Sequence, residues 1–467
     1  MKVLSVMTAL VIAPATACAA DDPELRALRE QITRLQEHYE QRISALEQRL
    51  MQAVPSPTRP SVAAQPMEEA QPAASIQPAA PRSAHGNANP NTFNPSVSLV
   101  LSGLYGNTSQ DPATYRLRGF HLPADLSAGL AASRGFSLAE SELGFSAQVD
   151  HLFLGQLKLA LDANHQAATE EAFIQTTALP KGLTLKAGRW YSGIGYLNEQ
   201  HAHAWDFVDS PLAYQAFLGR QFKNDGVQLR WLAPTDTYLE LGAELGRGNN
   251  FPGTDRNQNG SGASAIFAHL GGDVGISHSW RAGLSVLSTS PRDRQWSDFD
   301  TVGNEVVNRF SGKSRLLIAD GVWKWAPNGD ASSTSFKLQG EYLRRTETGN
   351  LSFDTLGTSA GSSQSQLSAI QSGWYVQGIY QFAPEWHMGL RADRLNTGSV
   401  DYDTLNANLL RPQGSPTRQS LMVDFKPSEF SKLRLQLSRD RSQLGVTDHQ
   451  VFLQYQMSLG AHGAHRF

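Results

Sequence analysis

The chain has 467 residues, with 40 lysines and arginines against 43 aspartates and glutamates, a formal charge of −3 that offers no basic field for nucleic acid. It is 40% hydrophobic and 18% charged, and its one cysteine, Cys18, excludes disulfide frameworks, CxxC redox sites and thiolate zinc sites. No stretch after residue 20 reaches the roughly 18–20 consecutive apolar residues of a spanning helix, so a helical membrane protein is excluded too.

Residues 1–20 read as a secretory signal: Met1-Lys2, an apolar run, then small residues up to Ala20. Acylation of Cys18 is the rival reading, although Ala15 stands where a lipoprotein signal carries a large aliphatic residue. Over 21–50, Leu25, Leu28, Ile32, Leu35, Tyr39, Ile43, Leu46 and Leu50 recur at the 3.5-residue spacing of a coiled coil, with one stutter after Tyr39. A lone helix with so narrow a seam has nothing of its own to bury, which points to self-association in the periplasm; peptidoglycan is a further partner it offers. Residues 51–92 are rich in Pro, Ala, Gln and Ser and predict a semi-extended linker.

From residue 93 to 467 the apolar pattern has period two, broken by turn chemistry. Val451, Leu453, Tyr455, Met457 and Leu459 share one face of a segment, with Gln454, Gln456 and Ser458 on the other. Leu433, Leu435 and Leu437 alternate with Arg434, Gln436 and Ser438 in the same way. A polar face carrying charge and glycine suits a wet lumen, and the apolar face suits lipid. Sixteen such segments predict an all-β fold, a transmembrane antiparallel β-barrel of about 16 strands in the outer membrane of a Gram-negative cell. Connections after even-numbered segments are tight, as in Leu179-Pro-Lys-Gly182 and Ala326-Pro-Asn-Gly329. Those after odd-numbered segments are mostly long, notably 192–223, 290–310 and 347–369, as outer loops are. A soluble β-sandwich array is the alternative.

The longest loop, Gly193 to Asp225, is the third outer loop. Asp209 or Ser210 is positioned to cap a short helix over 211–218, with Gly219 stopping it. The loop also carries His201 and His203, with Glu199, Asp206 and Asp209 nearby, nitrogen and oxygen donors of the kind that Zn²⁺ accepts; loop-bracing hydrogen bonds are the competing role. His462 and His465 form a second pair beside the terminal Phe467, at the periplasmic mouth. No resident cofactor is implied beyond a transient Zn²⁺. No HExxH or phosphate loop is present, so no enzyme is expected.

Several stretches, among them Asn94–Tyr105, Arg134–Leu143, Gly193–Phe207, Asp225–Asp236 and Met457–His465, resemble the zinc-regulated outer-membrane protein family of proteobacteria, often labelled TonB-dependent receptors. The resemblance implies a barrel like that of the phosphate-selective porins, a homotrimer, and a link to zinc supply that strengthens the metal reading of His201 and His203. It supplies no ligand set. The receptor label does not fit, because a 22-stranded barrel with its plug exceeds the roughly 375 residues on hand. The function expected is therefore passive uptake of zinc or small zinc complexes under zinc limitation. A general or anion-selective porin, or a barrel with a structural tethering role, are the alternatives.

Overall fold

The computed structural model describes residues 95–460, apart from 118, 162–166, 255–256, 258, 412–413 and 444. The signal over 1–20, the coiled coil over 21–50, the linker over 51–92 and the pair His462 and His465 lie outside the described residues. The rest is one closed antiparallel sheet of sixteen staves. They are β1 (Ser96–Thr108), β2 (Gly135–Leu138 and Ser141–Gln148), β3 (Phe153–Leu161), β4 (Ala167–Thr176), β5 (Leu183–Tyr191), β6 (Lys223–Leu232), β7 (Tyr238–Gly246) and β8 (Ala263–Val274). Then come β9 (His278–Thr289 and Arg294–Phe299), β10 (Glu305–Trp325), β11 (Ser335–Phe353), β12 (Ser363–Ala383), β13 (Trp386–Asp401), β14 (Thr417–Ser428), β15 (Ser431–Arg441) and β16 (Asp448–Gly460). The two pieces of β2 run along one partner, β1, and those of β9 along β10, so each counts as a single stave.

Closure is made by β1 against β16, from Ser98 opposite Gly460 to Thr108 opposite Gln450. It leaves no unpaired edge, the condition for strands to cross a bilayer. Leu433, Leu435 and Leu437 face outward, while Arg434, Gln436 and Ser438 are buried inside. Trp323, Trp374, Trp386 and Tyr455 stand exposed on the outer wall, as an apolar band with aromatic girdles requires.

Two sequence expectations need correction. The segments 290–310 and 347–369 are largely strand rather than loop. β10 and β12 have 21 residues each, about 70 Å of chain, far more than a membrane needs. Above the band their inner faces are covered by a second small core of Trp296, Val306, Phe310, Leu351, Phe353, Leu367, Tyr402 and Leu409, which makes extended pairing stable there. The lumen is also not polar throughout. Leu316, Ile318, Leu343, Tyr375 and Leu395 point inward and pack on the inturned third loop.

Two short helices lie off the sheet, α1 (Ala124–Leu130) and α2 (Leu212–Leu218). Every residue of α2 is buried, and it ends at Gly219 in the left-handed conformation, as expected. Its amino end is not capped by Asp209 or Ser210. Pro211 occupies the cap without a side-chain bond, and the Leu212 amide donates instead to Asp393 Oδ1 on β13, at 2.9 Å. A wall carboxylate takes the capping role because the loop is pressed against it.

Candidate metal centre in the lumen

The third loop, residues 192–222, folds into the barrel and is fastened at its base by Asn198. That amide donates to the carbonyls of Ser192 (2.7 Å) and Phe222 (2.9 Å) and accepts from the Phe222 amide (2.8 Å). Further in, the buried Glu341 of β11 accepts from the amides of Tyr196 and Leu197 and from the hydroxyls of Tyr214 and Tyr375, at 2.6–3.2 Å. One carboxylate thus gathers the loop, α2 and β12.

Between these fastenings a single turn at Ala202–Ala204 presents His201 and His203 to the wall formed by β2 and β4. His201 Nδ1 lies 2.8 Å from Glu142 Oε2 and 3.0 Å from Glu170 Oε2, and its Nε2 lies 3.0 Å from Glu171 Oε2. His203 Nδ1 is 3.6 Å from the same Glu142 oxygen, and the two imidazoles stack with centroids 5.6 Å apart. Tyr191 donates to Glu170 at 2.5 Å, and Lys158 pairs with Glu142 at 3.1 Å.

Two successive glutamates facing inward violate strand alternation, and a bulge is the reason. On β4, Lys158 of β3 pairs with Glu171 and Leu159 with Thr169, so Glu170 is an extra residue without a partner. The bulge turns both carboxylates onto the lumen face, a local device common at functional sites.

His201 belongs to the loop rather than to a stave. Burial opposes a charge on its ring, but hydrogen bonds to Glu142, Glu170 and Glu171 outweigh that and raise its pKa well above the ordinary 6.5. It therefore holds its proton at neutral pH. The donor atoms of Glu142, Glu170 and His201 lie within 4.8 Å of one another, near enough to converge on one cation after a small side-chain shift. Binding there must displace the imidazolium proton.

Below this cage, toward the tight turns, opens a cavity of about 820 Å³. Glu142, Glu171, His201 and His203 line its head, and Gly271, Gly272 and Asp273 lie at its turn end.

The other acidic residues singled out in the loop sit elsewhere. Glu199 is ion-paired with Arg230 of β6. Asp206 takes Lys337 of β11 at 2.6 Å and Gln377 of β12 at 2.7 Å. Asp209 meets Arg391 at 2.8 Å and Arg418 at 2.7 Å on β13 and β14. The structure thus brings His201 and His203 together but surrounds them with Glu142, Glu170 and Glu171. The one sequence signal of those wall residues was an acidic pair, Glu170-Glu171, inside an alternating strand.

No family model matches the chain. A protein of Aquifex aeolicus (strain VF5) described as uncharacterized is 29% identical over 405 residues, covering 80% of each chain. Among solved structures, the loop-deleted OmpTdeltaL8 outer membrane protein of Vibrio cholerae is similar with a TM-score of 0.48 at 10% identity, over 78% of this chain and 99% of that one. OprB of Pseudomonas putida gives 0.48 at 13% identity, over 78% and 94%. An anion-selective porin from Comamonas acidovorans gives 0.47 at 9% identity, over 78% and 99%.

Proposed function

We propose that this protein is an outer-membrane channel for passive uptake of zinc or small zinc complexes. One observation carries the reading: a closed sixteen-stave barrel folds its third loop inward and sets His201 among Glu142, Glu170 and Glu171 at the head of an inner cavity. A cargo site must release what it binds, so an open, partial donor set suits conduction better than a closed four-ligand cage. By the rule that short turns face the periplasm, the cavity opens on the periplasmic side. The resemblance to zinc-regulated proteins supports zinc as the cargo. In this reading the chain forms a homotrimer, with residues 21–50 as a periplasmic coiled coil able to meet peptidoglycan.

A general or anion-selective porin is the second reading. It is favoured by the opposite wall, where Lys426 and Lys432 face inward without an ion pair among the described residues, beside Lys337, Arg391, Arg418 and Arg434, which are paired with acids. Planar-bilayer recording of the full-length protein distinguishes the readings. Zinc-permeable conductance that His201→Ala with His203→Ala abolishes supports zinc passage. A reversal potential set by chloride, unchanged in that variant, supports the anion channel. The absence of any conductance supports a tethering barrel.

A further inference from the structure

The outward face of the barrel carries a pattern that the channel reading does not use. On four staves the apolar run facing lipid stops, toward the long-loop end, at an arginine. Arg315 follows Leu317 on β10, and Arg344 follows Tyr342 on β11. Arg394 follows Ala392 on β13, and Arg439 follows Leu437 on β15. All four side chains are exposed, and none makes an ion pair among the described residues. Lys313 and Arg441 stand one outward position higher on β10 and β15.

The residues opposite them on the staves between are polar, apart from Trp374 of β12 beside Arg394. Arg344 is opposite Ser372 on β12, Arg394 opposite Thr417 on β14, and Arg439 opposite Gln419 on β14. Across the barrel the matching level is different. There Arg189 of β5 is neutralised by Asp225 of β6 at 2.6 Å, with a second contact at 2.8 Å. The four arginines of the arc from β10 to β15 thus lack the acid partner that Arg189 has on β6.

We infer that this arc is a binding surface for the phosphorylated headgroup of an anionic glycolipid in the outer leaflet. Guanidinium forks recognise phosphate oxygens in pairs, and they keep their charge at any physiological pH. Their height suits the headgroup level, since the acyl chains of the same lipid would lie on the apolar run directly below. Alternate staves are about 10 Å apart, so Arg344, Arg394 and Arg439 form a row able to meet a headgroup with more than one phosphate. Serine, threonine and glutamine between them offer hydrogen bonds to sugar hydroxyls. The inference is independent of what passes through the lumen.

The test uses the full-length protein in neutral detergent, with diphosphorylated lipid A, enzymatically dephosphorylated lipid A and inorganic phosphate as probes. The parent should prefer diphosphorylated lipid A. The variant R344Q/R394Q/R439Q should lose about fivefold in affinity for each arginine replaced, whereas R189Q/D225N should bind as the parent does. Equal binding by the triple variant and the parent overturns the proposal, as does an equal loss in R189Q/D225N. Millimolar inorganic phosphate that displaces the lipid also overturns it, because the site would then be one for free anions. Heat-modifiable migration on gels reports folding. Should the triple variant fail that check, R394Q alone and the salt dependence of the parent give the answer, since affinity without salt dependence contradicts a phosphate–arginine contact.

Discussion

The inturned loop is held to opposite walls of the barrel by two anchors of reversed polarity. At His201 the loop supplies the cation and the wall supplies Glu142, Glu170 and Glu171. At Asp209 the loop supplies the anion and the wall supplies Arg391 and Arg418. The anchors have similar distances but different chemistry. A guanidinium neither loses its proton nor ligates a metal, so the Asp209 anchor is a fixed fastening. An imidazole does both, so the His201 anchor opens to a proton loss or an incoming cation. The comparison assigns one side of the loop to support and the other to exchange.

The largest expected effect breaks the fixed side. Asp209→Ala should destabilise the loop by about 3 kcal/mol, the low end for breaking a buried pair, because Asp393 and Asp440 still face the two arginines. Limited proteolysis across 200–222 in the refolded barrel measures it. Protection equal to the parent's would mean that the arginine wall does not hold the loop.

On the exchangeable side, Glu142→Gln with Glu170→Gln should lower zinc affinity about 10- to 100-fold while the barrel assembles normally. Isothermal titration checks this. Unchanged affinity would remove both residues from the donor set and leave the histidines as loop braces.

A smaller loss is expected at Gln436, which donates to Asp209 at 2.9 Å and accepts from the Val208 amide at 2.8 Å. Gln436→Leu should cost about 1–3 kcal/mol, since the Val208 amide loses its acceptor. Chemical denaturation in detergent, compared with the parent, gives the figure.

The mildest perturbation is pH. Because the His201 pKa is raised in the fold, its anchoring is complete below pH 6.5 and fades as pH rises through the folded value. The Asp209 carboxyl behaves oppositely. Burial works against its charge, yet Arg391 and Arg418 outweigh burial and hold its pKa well below the ordinary 3.8, so its anchoring is lost only in strong acid. Hydrogen exchange should therefore show residues 200–204 loosening in alkaline buffer while 208–212 stay protected. Zinc affinity should rise with pH at values well above 6.5, beyond the range in which a free imidazole titrates.

The alternation of apolar and polar residues was enough, in the sequence alone, to give sixteen staves, their facing and the ends that carry tight turns. Period two is a local property of each strand, and a bilayer on one side leaves a single register that keeps Leu435 out and Gln436 in. The helix at Leu212–Leu218, its glycine stop and the pairing of His201 with His203 were legible for the same reason. What surrounds them was not. Glu142 and Glu171 reach His201 only through barrel closure, and Glu170 joins them only through a bulge. Asp206, close to His203 in the chain, is drawn instead to Lys337 across the lumen. Where a charge in a low-dielectric interior finds its partner depends on which walls the fold brings near, and sequence separation carries no record of that.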